Sequence, residues 1–161
     1  MKKYSALFVR KDSAYKKREH WDAYDKERNA LHYNEPLPVV CHPPCRAWGR
    51  LSHMASNVRP NEKALALWSI DIIRENGGIL EHPNGSKLFG EYLPNAGETD
   101  IYGGFTILID QYDFGHVAHK KTKLYIKGID REALPTLPEK LIDYFEQVID
   151  LMKQRKDRLC I

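Results

Sequence analysis

Pro38-Val-Val-Cys-His-Pro-Pro-Cys-Arg-Ala-Trp-Gly-Arg50 is the stretch on which the architecture turns. Val39 and Val40 favour a buried strand, and the Pro43-Pro44 pair has no N–H to give to a ladder, so the strand must end there. His42, Cys45, Arg46 and Trp48 then stand in a stiff loop at the carboxyl end of a strand. In open α/β sheets that is where ligands gather. The prolines also hold the cysteine in a fixed direction with little entropy left to lose.

Working outward, Leu7-Phe8-Val9 reads as a first strand, and Asp22–Ala30 can form a short helix that Pro36 and Pro38 end. Residues 61–76 are signalled as a helix: Asn61 can cap it, Gly77 stops it, and Leu65, Trp68, Ile72 and Ile73 recur at helical spacing. Gly78–Glu81 is a short buried strand broken by Pro83. Phe105–Ile109 and Lys123–Ile126 are β-rich runs expected to pair as a hairpin across a long basic connection. Pro138 opens a last helix to about Arg158, with Leu141, Phe145, Val148 and Met152 on one stripe. The alternation predicts one α/β domain over residues 1–161. Its expected core is a single-layer, mostly parallel, Rossmann-like sheet with an antiparallel hairpin at one edge and flanking helices.

The chain has 161 residues, 42% of them hydrophobic and 29% charged, which suits one globular domain rather than a disordered segment. No apolar run approaches the ~20 residues that cross a bilayer, so no membrane partner is expected. The apolar part of residues 1–9 is too short for a signal-peptide core, and the expected location is cytoplasmic. A net charge of +3 permits a nucleic-acid partner without demanding one. Four extended residues span roughly 13 Å, too far for a Cys41–Cys45 disulfide unless a tight turn intervenes. Free thiols are expected.

Cys45 is the first candidate for chemistry. At an ordinary pKa only about 3% of a thiol is ionised at neutral pH, and His42, Arg46 and Arg50 would raise that fraction. The competing reading is a small buried hydrophobe. Glu81 ends an apolar strand at the same sheet edge, where a carboxylate can hydrogen-bond a ring nitrogen; equally, it could cap the turn that follows. Cys41, His42, Cys45, His53, His82, His116 and His119 could supply metal ligands, but their spacing matches no zinc pattern. Lys120 and Lys121 could contact phosphate or protect an edge strand, and Trp48 could stack on a base or fill the core. No Gly-rich phosphate loop is present, so a cofactor site would draw on Asp12, Ser13 and Tyr15 after the first strand and on Asp25.

Val39-Val-Cys-His-Pro-Pro-Cys45 resembles the Pro-Cys nucleophile motif of DNA cytosine-5 methyltransferases, and Ile79-Leu-Glu-His-Pro83 resembles their Glu-Asn-Val/Pro motif. Residues 112–128 look like the lysine-rich hairpin of the same family. The arrangement is similar to small phage and prophage proteins of methyltransferase-like type, over roughly residues 20–128. The chain departs from the family in lacking the glycine-rich cofactor loop and the target-recognition domain, and in having His82 where the family has asparagine. The resemblance implies a methyltransferase-type sheet, S-adenosylmethionine as cofactor and DNA or a nucleotide as substrate. It also implies that Cys45 attacks C6 of a pyrimidine while Glu81 acts at N3. His42, Arg46, Trp48, Arg50, His82, His119, Lys120 and Lys121 would contact the substrate. The alternative is a catalytically degenerate module that binds nucleic acid or nucleotide on the same fold.

Overall fold

The computed structural model describes residues 1–49, 61–136 and 138–159. Its strands are β1 (Tyr4–Leu7), β2 (Trp21–Tyr24), β3 (Val39–Cys41), β4 (Gly78–Pro83), β5 (Phe105–Asp110) and β6 (Lys121–Lys127). The helices are α1 (Glu62–Asn76), the single turn α2 (Leu88–Glu91) and α3 (Leu141–Leu159). All six strands join one sheet in the order β2-β1-β3-β4-β6-β5.

That sheet is mixed, which corrects the expected mostly parallel, Rossmann-like, methyltransferase-type sheet. β2, β1, β3 and β4 run parallel, but β6 lies antiparallel along the whole of β4, and β5 lies antiparallel to β6. The C-terminal half, β4-β6-β5, is therefore antiparallel, and the expected β5–β6 hairpin forms that edge of the sheet. A doubly wound layer needs a helix in each crossover. Here β1–β2 and β2–β3 are crossed by single 3-10 turns, Ala14–Lys17 and Ala30–His32, and α1 alone supplies a helical crossover, between β3 and β4.

Alternation along each strand sorts side chains to two faces. Ala6, Val40 and Ile79 pack with Phe145, Val148, Ile149 and Met152 of α3. Val39, Cys41 and Leu80 pack with Ala66, Ile70 and Ile73 of α1. Each large side chain fully buried in this way contributes about 1.5–3 kcal/mol. Polar contacts tie α3 to the N-terminal strands: the Tyr4 hydroxyl donates to Asp150 (2.9 Å) and Trp21 Nε1 to Glu146 (2.7 Å).

The helix expected over Asp22–Ala30 is instead β2 followed by a turn. Trp21 is buried, stacks on Tyr4 at 5.0 Å and pairs with it in the parallel ladder. Packing across the sheet outweighs the weak helical preference of a polar run. The first strand stops at Leu7 because Phe8 turns to a left-handed φ of 61°. Among the described residues, no helix is long and apolar enough to cross a membrane.

β3 and β4 are parallel neighbours with Cys41 opposite Leu80. The loop after Cys41 and the pair Glu81–His82 therefore emerge side by side at the same edge.

Candidate functional site

Glu81 sits at the centre of that edge, with both carboxylate oxygens held. Gln111, just past β5, donates from Nε2 to Oε1 at 3.1 Å, and also to Thr122 Oγ1 at 2.9 Å. His42 Nδ1 lies 3.3 Å from Oε2. A carboxylate only accepts, so His42 carries its proton on Nδ1 and its Nε2 accepts from the Tyr15 hydroxyl at 2.8 Å. The chain Tyr15–His42–Glu81–Gln111 thus links the ends of four segments. Burial would raise the Glu81 pKa. The hydrogen bond from His42, helped by the positive charge of Lys120, outweighs it and holds the acid below its usual range. Burial first, then the Glu81 charge, pushes the Tyr15 hydroxyl well up, so it stays a donor.

His82 points the other way and is almost wholly buried. Its Nε2 must donate to the Pro43 carbonyl at 2.9 Å, so Nδ1 accepts from Ser86 Oγ at 2.8 Å, and Ser86 in turn accepts from the Leu88 N–H. Every polar atom is used. His82 is a latch between β4 and the Pro43-Pro44 loop, which corrects its expected place on the substrate. We predict that His82→Leu lowers stability in urea unfolding by about 2 kcal/mol, since it leaves the buried Pro43 carbonyl unpaired; an unchanged midpoint would show that the loop is held elsewhere. Burial also depresses the His82 pKa from 6.5. The unfolded chain then takes up a proton that the folded one resists, so the stability contributed by His82 falls as pH drops below that value.

Two clefts flank the Pro43-Pro44-Cys45 loop. The smaller, about 370 Å³, is floored by His42, Glu81 and Gln111, edged by Lys120, and walled by Tyr15 and Phe145. The larger, about 450 Å³, lies beyond the ends of β1–β3 and the start of α1, lined by Phe8, Asp25, Asn29, Pro44, Arg46 and Glu62 among others. Phe8 and Val9 border both. Three described non-glycine residues have positive φ: Phe8 (61°), Asn29 (56°) and Asn61 (72°). All three line the larger cleft. Such conformations cost on the order of 1–3 kcal/mol each and concentrate at ligand sites.

Glu62 marks the same cleft. Only 5% exposed, it accepts from Arg46 Nη2 at 2.5 Å through Oε1. Its Oε2 is buried and has no hydrogen-bond partner among the described residues. A buried carboxylate oxygen left unpaired is costly, and a ligand N–H or O–H would satisfy it.

Cys45 is half-buried and free, as is the buried Cys41. Its thiol is raised, not lowered as the neighbouring positive charges led one to expect. Burial is the main cause and the Glu81 charge the next, with Lys120 and Arg46 opposing them. Cys45 lies between Pro44 and Arg46, which line the larger cleft, and itself lines neither cleft.

The remaining expected residues scatter. Trp48 is buried in the α1-side core, edge-on to Tyr92 at 5.6 Å, so it cannot stack on a base. His119 and Lys121 both bind Asp110 (2.8 and 3.6 Å), and His119 stacks on Tyr112, which fixes the hairpin turn. Arg50 and His53 lie outside the described residues. Of the expected cofactor residues, Asp25 lines the larger cleft and bonds Lys16, and Ser13 and Tyr15 line the smaller one. Asp12 is exposed beside Arg10. These four do not form one site. Gln111 and Glu62 were not signalled by any motif.

No protein-family model and no curated protein matches the chain.

Proposed function

We propose that this protein is a nucleobase-modifying enzyme of phage type, acting in the cytoplasm on a cytosine in DNA or a nucleotide by the cytosine-5 methyltransferase chemistry its motifs resemble. The observation that carries this reading is the position of the Cys45 loop between two clefts. His42 presents to the one holding Glu81, while Pro44 and Arg46 present to the one holding Glu62.

S-adenosylmethionine fits the larger cleft in chemical type. The orphaned Glu62 oxygen and the Asp25 carboxylate suit its ammonium and ribose hydroxyls, and Phe8, Val9 and Leu65 offer apolar surface for its adenine. Bound there, it would supply the methyl group. The rest of the chemistry belongs to the chain. The Cys45 thiolate adds to C6 of the pyrimidine, breaking the C5–C6 double bond as N3 takes a proton from water, and the Glu81 carboxylate accepts hydrogen bonds from the exocyclic amino group and the protonated N3, so that C5 becomes nucleophilic. Gln111 and His42 keep Glu81 aimed, and Lys120 at the rim meets phosphate. In duplex DNA the base must be flipped out, whereas a single strand or nucleotide needs no flipping.

Thiolate addition alone can be tested without any methyl donor. In D₂O, C5 of the adduct takes a deuteron, loses the original proton, and the thiolate leaves, so cytosine acquires deuterium at C5. Mass spectrometry of cytosine oligonucleotides incubated with the protein should show exchange above a protein-free control. No exchange would overturn the enzyme reading.

A second reading, a binding module without catalysis, is favoured by the raised thiol of Cys45. It predicts oligonucleotide binding that weakens with salt and with a Lys120/Lys121/Lys123 triple alanine variant, but no deuterium exchange.

A further inference from the structure

Arg46 connects the two clefts. It follows Cys45 directly, lines the larger cleft, and rests on Glu62. Its side chain is 48% exposed, so nothing but Glu62 holds it among the described residues. Glu62 itself is nine-tenths buried, with one oxygen given to Arg46 and the other facing no donor among the described residues. A single carboxylate charge cannot bind two cations as firmly as one. Among the described residues, the charges that act on the Cys45 thiol are Glu81 on β4, which raises its pKa, and Lys120 in the β5–β6 connection and Arg46 in its own loop, which lower it. Arg46 alone among them is tied to a counter-ion in the larger cleft.

We propose that Glu62 reads the occupant of the larger cleft: a cationic N–H donor seated on its free oxygen loosens its hold on Arg46, whose guanidinium then serves as counter-ion to the Cys45 thiolate. The nucleophile is thereby activated when the donor is in place. This rests on the reading of the larger cleft as the methyl donor's site, the ammonium of the donor being the cationic group.

The test reads Cys45 ionisation directly, through the pH dependence of its alkylation by iodoacetamide followed by peptide-resolved mass spectrometry. S-adenosylhomocysteine, which carries the same ammonium, is the probe, with calorimetry reporting its binding in parallel. Glu62→Gln removes the counter-ion charge at nearly constant shape. Saturating probe and Glu62→Gln should each lower the midpoint pH by about half a unit, roughly a threefold gain in alkylation at neutral pH. Both shifts should vanish in an Arg46→Leu background and persist with Arg46→Lys, which keeps the charge but not the fork. Circular dichroism of each variant guards against a folding defect.

Calorimetric binding without a midpoint shift would overturn the coupling while leaving the donor site intact. A Glu62→Gln shift that survives Arg46→Leu would overturn it as well. Absence of calorimetric binding would remove the donor-site reading, and the ligand's part in this proposal with it.

Discussion

Cys45→Ser will abolish deuterium exchange at cytosine C5, and Glu81→Gln will slow it by about 10²- to 10⁴-fold, the range associated with a positioned acid–base group. Serine keeps the size and loop geometry but replaces a polarisable thiol with a hydroxyl that is essentially never ionised at neutral pH, so addition to C6 should fall below detection. Glutamine keeps the shape of Glu81 and can still accept from His42 and pack against Gln111. It cannot stabilise a protonated ring nitrogen with a full negative charge. The two variants therefore separate nucleophile from electrostatic partner. Both should bind a cytosine oligonucleotide within about twofold of the wild-type protein, because neither is the main phosphate contact. Exchange that persists in Cys45→Ser would mean that the thiol is a bystander, and the covalent mechanism would fall.

What could be read from the chain followed what is local. β3 was legible because a valine pair runs into two prolines, and α1 and α3 because their apolar positions recur at helical spacing. β2 was not, since Asp22–Tyr24 is polar and its pairing depends on Trp21 meeting Tyr4 and Glu146, the latter more than a hundred residues away. The mixed sheet was missed for a similar reason: both hairpin strands were recognised, but nothing in them says that β6 rather than β5 lies against β4. Within the site, Glu81, His42 and Lys120 came together because strand ends bring them together. In the sequence Glu62 is an ordinary acid in the first turn of a helix, where the dipole favours one. Its burial is visible only once Arg46 is seen beside it. The thiol of Cys45 was not legible because sequence shows the arginines next to it and neither its burial nor the Glu81 carboxylate.

Gly78→Ala will cost more stability than any surface or cleft substitution, at least about 4 kcal/mol, the tail reserved for a clash that the backbone cannot relieve. Gly78 opens β4 with φ 144°, and a Cβ built on it would stand 2.2 Å from the carbonyl oxygen of Val39, its partner in the parallel ladder. The obstacle is main chain in a central strand, so no rotamer change can make room. A domain of this size has about 5–15 kcal/mol to lose, so much of the variant should be unfolded or aggregated at 37 °C. Gly85→Ala supplies the control: a Cβ there meets nothing within 4 Å, and its urea midpoint should match the wild type within about 0.5 kcal/mol. The consequence reaches the site as well. β3 and β4 approach closely at Gly78, and that approach sets Cys41 opposite Leu80 and hence the Cys45 loop beside Glu81. Any Gly78→Ala protein recovered at low temperature should bind oligonucleotide less tightly and alkylate more readily at Cys45. A variant with wild-type stability would mean that the two strands can separate without loss, and the shared edge on which both clefts depend would not be fixed by this glycine.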